Sequence, residues 1–298
     1  MQRILITGGS GFIGAWVAKR LLARGFAVRI FDQRAAPELV NTLCGVSLAA
    51  TIEWLEGDVS DAQQVAAAAE DCDLIIHLAA ILTPACQSDP LRGAHINLLG
   101  TLNVFTSAIA LGHERVLYMS SAGVFGPHDG VQPEPTTHYG AFKLAGEGSA
   151  RAYWHDHGLP SIGFRPLVVY GPGRTVGLTA DPTLACRAAA LGEPYTIGFS
   201  GESNFVYVDD LAAAFEAALI GEPNAAEVFN VVGELASVKR LCQVIEDTAN
   251  VRGIDSGGPS VPVSAHIAEN GLYDRFPDLP RTSLVDGVAA TIEFYRSS

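Results

Sequence analysis

Arg3-Ile4-Leu5-Ile6-Thr7-Gly8-Gly9-Ser10-Gly11-Phe12-Ile13-Gly14 decides the fold of this chain. Arg3 to Thr7 is β-rich and runs into a glycine turn. Phe12 to Arg24 then carries apolar residues at helical spacing until Gly25 stops it. Gly8 permits the tight turn, Gly11 lets the backbone approach a pyrophosphate, and Gly14 lets the helix pack near the strand. The helix N-terminus presents free N–H groups to phosphate charge. A glycine triplet alone fits any strand-to-helix turn. Here an acid also closes the second strand, Ala27 to Asp32. The Asp32 carboxylate suits both ribose hydroxyls and repels a 2′-phosphate, so NAD is expected over NADP. Arg34, two residues on, softens that preference.

The alternation continues outward. Ile52 to Gly57, Leu74 to Leu78, Val116 to Ser120 and Ser161 to Pro166 read as strands. Helical stretches lie around Ala62–Ala69, His95–Ala110 and Tyr139–His157. This pattern predicts an α/β fold, a Rossmann doubly wound parallel sheet, with a smaller C-terminal α/β lobe. The expected division is a cofactor domain over 1–166, with returning segments near 204–232, and a substrate lobe over 167–298. Ile254 to Pro280 is rich in Gly, Pro and Ser and reads as loop, and a last helix is expected over Leu284–Arg296. Asp58, ending the third strand, suits the adenine amino group, with Val59 beside the ring. The helix cap before Ala62 belongs to Ser60 or Asp61. Leu78, Ala79 and Ala80 end the fourth strand with small residues, as a strand touching a cofactor would.

Tyr139 and Lys143 stand four apart, on one face of a helix. A lysine ammonium one turn from a phenol favours the phenolate, so the phenol can exchange protons near neutral pH. The helix follows a strand ending in Ser120-Ser121, at the sheet edge where doubly wound folds bind ligands. Ser121 there can hold the oxygen that Tyr139 protonates or deprotonates.

Composition narrows the partners. The 298 residues are 48% hydrophobic and 17% charged, with a formal net charge of −13. Such a surface repels nucleic acid and anionic membranes. No uninterrupted apolar run has the length of a membrane span. The N-terminus enters a strand without the layout of a cleavable signal. Five cysteines are odd in number and form no CxxC pair, which fits reduced thiols and a cytoplasmic protein. His155 and His157 point to different sides of a helix, so no metal is expected. Nothing flanking Cys86 activates its thiol.

The sequence resembles the extended short-chain dehydrogenase/reductases, which include nucleotide-sugar epimerases and dehydratases. The resemblance covers nearly the whole chain. It rests on Thr7–Gly14, Asp32, Gly57-Asp58-Val59, His77-Leu78-Ala79-Ala80, Asn97-Leu98-Leu99-Gly100-Thr101 and Ser120–Gly126. It continues through Tyr139/Lys143, Arg165-Pro166, Tyr170-Gly171-Pro172-Gly173, Val208-Asp209-Asp210 and Phe229-Asn230. It implies a catalytic triad of Ser121, Tyr139 and Lys143, with Lys143 also on the nicotinamide ribose. It implies Pro166 to Val168 near the nicotinamide, Asn97 as a structural or relay residue, and a homodimer built on the helices near His95 and Tyr139. The expected cofactor contacts are Gly8, Gly11, Phe12, Ile13, Gly14, Asp32, Asp58, Val59, Leu78, Ala79, Ala80, Asn97, Tyr139, Lys143, Pro166 and Val168.

Departures from the family pattern bear on substrate. Ala122 and Gly123 stand where dehydratases and decarboxylases carry acids, which disfavours both reactions. Val168 stands where epimerases carry an asparagine against the nucleotide diphosphate, and Ser203-Asn204 where they carry Arg-Asp. Losing charge-assisted bonds to phosphate, each worth about 1.5–3 kcal/mol, weakens a nucleotide-sugar substrate. The leading expectation is therefore NAD-dependent hydride transfer at a hydroxyl carbon of a small polar substrate, such as a sugar acid or polyol. Thr83, Ser121, Arg174 and Thr175 are its expected substrate contacts. The alternatives are a nucleotide-sugar epimerase and a non-catalytic NAD-binding protein.

Overall fold

The computed structural model describes residues 2–222 and 225–297. Met1, Ser298, and Pro223 and Asn224 of the returning segment near 204–232 lie outside the described residues. The chain opens with β1 (Arg3–Thr7), α1 (Phe12–Ala23), β2 (Ala27–Asp32), α2 (Glu38–Cys44), α3 (Val46–Ala49), β3 (Glu53–Glu56), α4 (Ala62–Ala69) and β4 (Leu74–His77). Next come α5 (Thr83–Ser88) and α6 (Pro90–Ala94), which passes through a π-helical turn, His95–Leu99, into α7 (Gly100–Leu111). Then follow β5 (Val116–Met119), α8 (His138–His157) and β6 (Ser161–Pro166). The remainder holds β7 (Val168–Tyr170), α9 (Asp181–Leu191), β8 (Tyr195–Ile197), β9 (Glu202–Tyr207), α10 (Val208–Ile220), β10 (Ala226–Val231), β11 (Glu234–Ser237), α11 (Val238–Ala249), β12 (Ile254–Ser256), α12 (Leu272–Arg275) and α13 (Leu284–Arg296).

Seven strands form the main sheet in the order β10-β6-β5-β4-β1-β2-β3. The run from β6 to β3 is parallel. The chain steps outward from β1 to β3, then returns to β4 on the other side of β1. The strand order therefore reverses between β1 and β4, the crevice where doubly wound sheets bind dinucleotides. Every residue of β4 and β5 is buried, which is why these strands read as continuous apolar runs rather than alternating ones. Leu5, Phe31, Ile75, Phe105, Val116 and Ala150 join one core. A three-stranded sheet, β11-β9-β7, and a two-stranded one, β12-β8, lie in the C-terminal part.

Two compact units divide the chain. One comprises Met1–Ser121, Thr137–Arg165 and Ala212–Phe229, the other Ala122–Thr136, Pro166–Leu211 and Asn230–Ser298. Residues 122–136 group with the second unit because their backbone is tied there: Ser264 N donates to Gly126 O at 2.7 Å and Ala268 N to Gly130 O at 3.3 Å. The second unit has its own core around Tyr170, Phe205, Leu241, Ile245 and Val288.

Local rules explain most boundaries. Asp61 caps α4, accepting from Gln63 N at 2.9 Å and Gln64 N at 3.1 Å. Ser283 caps α13 and Ser237 caps α11 in the same way. The helix expected from His95 begins instead at Pro90, which sits at N1 behind the capping carboxylate of Asp89. Pro90–Leu111 is then one helix with the length and apolar content of a membrane span, which no single uninterrupted run in the sequence shows. Its apolar content has a local cause: Ile96, Val104, Phe105 and Ala108 are buried in the core.

Candidate active site

The glycine loop is as constrained as its sequence implies. Gly8 has φ +72°, and a Cβ there would lie 2.5 Å from Ala79 N. A Cβ on Gly14 would lie 2.6 Å from Gly9 Cα and 2.8 Å from Gly8 O. Gly14 thus lets α1 close onto the loop itself rather than onto the strand. Gly11 is exposed, has extended backbone, and leaves α1 without a capping side chain. The open helix N-terminus and the cradle that a Cβ would fill fit a dinucleotide pyrophosphate. Phe12 and Ile13 are half-buried in the first turn.

At the end of β2, Asp32 is fixed by two backbone donors, Ser10 N at 3.0 Å and Gln33 N at 2.8 Å. Its half-buried carboxylate keeps lone pairs for a pair of hydroxyls. Arg34 is exposed, and its carbonyl accepts from Ser10 Oγ at 2.8 Å. Asp58 is half-buried and accepts from Ser60 N at 2.8 Å and Ser60 Oγ at 2.7 Å. Val59 is buried beside Gly100, where a Cβ would lie 2.8 Å from it. Leu78, Ala79 and Ala80 are half-buried where the chain leaves β4.

A buried relay ties this loop to the neighbouring strand, and nothing in the sequence expectations included it. Thr7 Oγ1 lies 2.7 Å from His77 Nδ1, and His77 Nε2 lies 3.0 Å from Thr101 Oγ1. Thr101 Oγ1 donates to Asn97 O at 2.8 Å, so it accepts from His77 Nε2–H, and Thr7 donates to Nδ1. Burial, helped by the nearby Lys143 charge, pushes the His77 imidazole down to about 3. His77 is therefore a neutral strut between β1, β4 and the start of α7. Asn97 is used up nearby: its amide pairs with both backbone groups of Ile81 at 2.8 Å and reaches Cys86 Sγ at 3.2 Å. It braces the chain after β4, with both amide hydrogens engaged. Cys86 is buried, and burial raises its thiol despite the Asn97 contact and the Lys143 charge.

Helix α8 starts where Thr137 Oγ1 accepts from Gly140 N at 3.1 Å. That cap sets Tyr139 and Lys143 one turn apart near the helix start. The Lys143 ammonium lies 5.8 Å from the Tyr139 ring centroid and donates to Met119 O at 2.7 Å. Lys143 is only 5% exposed. Burial pushes it down to about 8, while Cys86, when it is the thiolate, and Glu147 pull it up. Ser121 follows the end of β5, and both Ser121 and Tyr139 are half-buried, open to a reacting group. The set can hold a hydroxyl and move its proton. Glu147, one turn beyond Lys143, carries a second arrangement that the sequence expectations left out. Its signal was present, since Tyr139, Lys143 and Glu147 repeat every fourth residue.

In the second unit the expected contacts are less available. Val168 is fully buried in the core, and Pro166 is buried. Ser203 is fully buried, and Asn204 is tied to Gly233, accepting from its N at 2.7 Å. Arg174 donates to Val169 O and, at 2.8 Å, to Thr179 Oγ1. Thr175 is exposed and, in the first unit, Thr83 is half-buried at the start of α5.

A dinucleotide cradle and a Tyr-Lys helix on one parallel sheet are the combination that defines the extended short-chain dehydrogenase/reductase enzymes. The chain belongs to the NAD dependent epimerase/dehydratase family, whose sequence model matches residues 4–232. It is an NAD-dependent enzyme, which sets aside the non-catalytic alternative. It is 28% identical over 320 residues to the UDP-glucose 4-epimerase of Mycolicibacterium smegmatis, covering 99% of each chain. It is 28% identical over 291 residues to the dTDP-L-rhamnose 4-epimerase of Burkholderia thailandensis, covering 82% of this chain and 80% of the relative. The fold matches that of the Thermus thermophilus UDP-glucose 4-epimerase solved with NAD, with a TM-score of 0.85, 24% identity and all of both chains covered.

The depressed His77 has a consequence for stability. Below the unfolded histidine's ordinary value the unfolded chain binds a proton that the folded chain refuses, so stability falls as pH falls from 6.5 toward about 3. This one group contributes about 1.4 kcal/mol per pH unit in that window. Urea unfolding at stepped pH should show the slope, and His77→Gln should flatten it by one proton. An unchanged slope in the variant would show that His77 is not held neutral.

Proposed function

We propose that the enzyme oxidises a hydroxyl carbon of a small polar substrate, such as a sugar acid or polyol. Bound NAD supplies the hydride acceptor. Tyr139 takes the hydroxyl proton, Lys143 favours the phenolate, and Ser121 orients the hydroxyl. The observation that carries this is the buried Lys143 ammonium, held by Met119 O at 2.7 Å beside the Tyr139 ring. The cofactor sits along Gly8–Gly14, with Asp32 on the adenosine ribose and Asp58 near the adenine. The first domain binds the cofactor and the C-terminal lobe the substrate. Substrate size rests on Val168 and Ser203, both fully buried, and on Asn204 and Arg174, whose polar groups already bind their own unit. None of the four offers a diphosphate an uncommitted cation.

The second candidate activity is nucleotide-sugar epimerisation, in which the hydride returns to the substrate. The names of the full-length relatives favour it. The two differ in net redox change. Purified enzyme with NAD and a panel of sugar acids, polyols, UDP-sugars and dTDP-sugars separates them. Accumulation of NADH with a sugar acid or polyol, and no interconversion of the nucleotide sugars by NMR, is the expected result. Interconversion of a nucleotide sugar without NADH would replace the first activity by the second.

The proposal includes a homodimer through the Pro90–Leu111 helix and α8. Leu91, Leu99 and Trp154 give these helices exposed apolar surface. Light scattering should report twice the 31.3 kDa chain mass. A single-chain mass at micromolar concentration would contradict it.

A further inference from the structure

Helix α8 places Tyr139, Lys143 and Glu147 one turn apart on a common face. The first two carry the proposed chemistry. Glu147 is fully buried, and its carboxylate is engaged on both oxygens. Oε1 accepts from Ser120 Oγ and, at 2.6 Å, from Arg165 Nε, while Oε2 accepts from Arg165 Nη2. The guanidinium grips the carboxylate as a bidentate fork. Ser120 N also donates to Phe164 O at 2.8 Å. The ends of β5 and β6 and the middle of α8 therefore converge on one carboxylate.

Consecutive residues at the end of β5 share this work. The Met119 carbonyl holds the Lys143 ammonium, and the Ser120 hydroxyl holds Glu147. Ser121 is the next residue. Two ties one helical turn apart, about 5.4 Å, stop the strand end from sliding along or turning about α8. We infer that Glu147 is a positioning residue, fixed by Ser120 and Arg165, that sets the place of Ser121 against α8 and puts a fixed negative charge beside Lys143.

The electrostatic half follows from what faces Lys143. Those groups are His77 from β4, Cys86 from α5, and Tyr139 and Glu147 from its own helix. His77 is neutral. The Cys86 thiol is raised by burial, so it too is neutral where Lys143 titrates. Glu147 is then the anion that opposes the burial of the ammonium.

The test reads Lys143 in the free protein. The inference builds on the proposed role of Lys143, but the measurement needs no substrate, so either can fail alone. The chain has three lysines, Lys19, Lys143 and Lys239. Lysine isotope-labelled at Cε gives one NMR signal for each, and Lys143→Arg identifies the relevant one. Its midpoint should lie near 8. In Glu147→Gln it should fall by about one pH unit. If Glu147 only braced the fold, its loss would admit water to Lys143 and the midpoint would rise toward the ordinary lysine range. A rise, or no shift, overturns the inference. If Glu147→Gln does not fold, Glu147→Gln/Arg165→Gln keeps a neutral hydrogen-bonded pair and should still show a fall, smaller than in Glu147→Gln because the Arg165 charge leaves with the carboxylate. Ser120→Ala leaves Arg165 on the carboxylate and should leave the midpoint in place. A fall in Ser120→Ala as large as in Glu147→Gln would assign the effect to the strand tie and overturn the role of charge.

Discussion

A lysine ammonium sits where water hardly reaches it, and the first unit is arranged around that fact. Removing an ammonium from water costs far more than one hydrogen bond returns. Lys143 is held by a carbonyl at the end of β5 and by the charge of Glu147 one turn along. Both partners are placed by the sheet. Helix α8 can therefore lie only where its face meets the carboxyl ends of β5 and β6. Tyr139 then falls one turn nearer the helix start, half-buried at the edge of the sheet. The burial that destabilises the Lys143 ammonium also places it near neutrality, where a small change of charge alters its state.

The cofactor side depends on a different kind of strut. Thr7 ends β1 and immediately precedes the glycine turn, and His77 ends β4. Their hydrogen bond, continued to Thr101, locks the two strands on either side of the strand-order reversal. Burial, with the Lys143 charge nearby, disfavours the charged form there, so the imidazole stays neutral. Gly8 completes the arrangement, because any side chain at that position would strike the backbone of Ala79. The glycine loop, where the pyrophosphate is proposed to lie, is thus positioned by backbone contacts, one buried polar chain and the Asp32 carboxylate.

Much of this was legible in the sequence, and the reasons are particular. Helices Ala62–Ala69 and Leu284–Arg296 and strand Ser161–Pro166 match their expected bounds because caps and proline punctuate them. The triplet Gly8, Gly11 and Gly14 was legible because few backbones demand that spacing. The start of the helix at Pro90 was not, since Arg92 and Gly93 break its apolar pattern on the exposed side and at a close contact with Phe142. The grouping of 122–136 with the second unit depends on backbone bonds to residues far along the chain. Glu147 and His77 were visible as residues but not as partners, because Ser120, Arg165, Thr7 and Thr101 become their neighbours only in the folded sheet. Arg174 was expected to meet substrate, and its bonds to Val169 and Thr179 could not be read from the sequence because they form only in the folded loop.

The central claim is that the Tyr139 phenol, tuned by a buried ammonium, carries the proton that accompanies hydride transfer to NAD. The most direct measurement is a single-turnover record of reduced cofactor absorbance with a substrate that the enzyme accepts, comparing Tyr139→Phe with the unaltered enzyme. The account predicts that the rate of cofactor reduction falls by about 10²–10⁴ in the variant, with cofactor binding retained. Equal rates in the two proteins would contradict it.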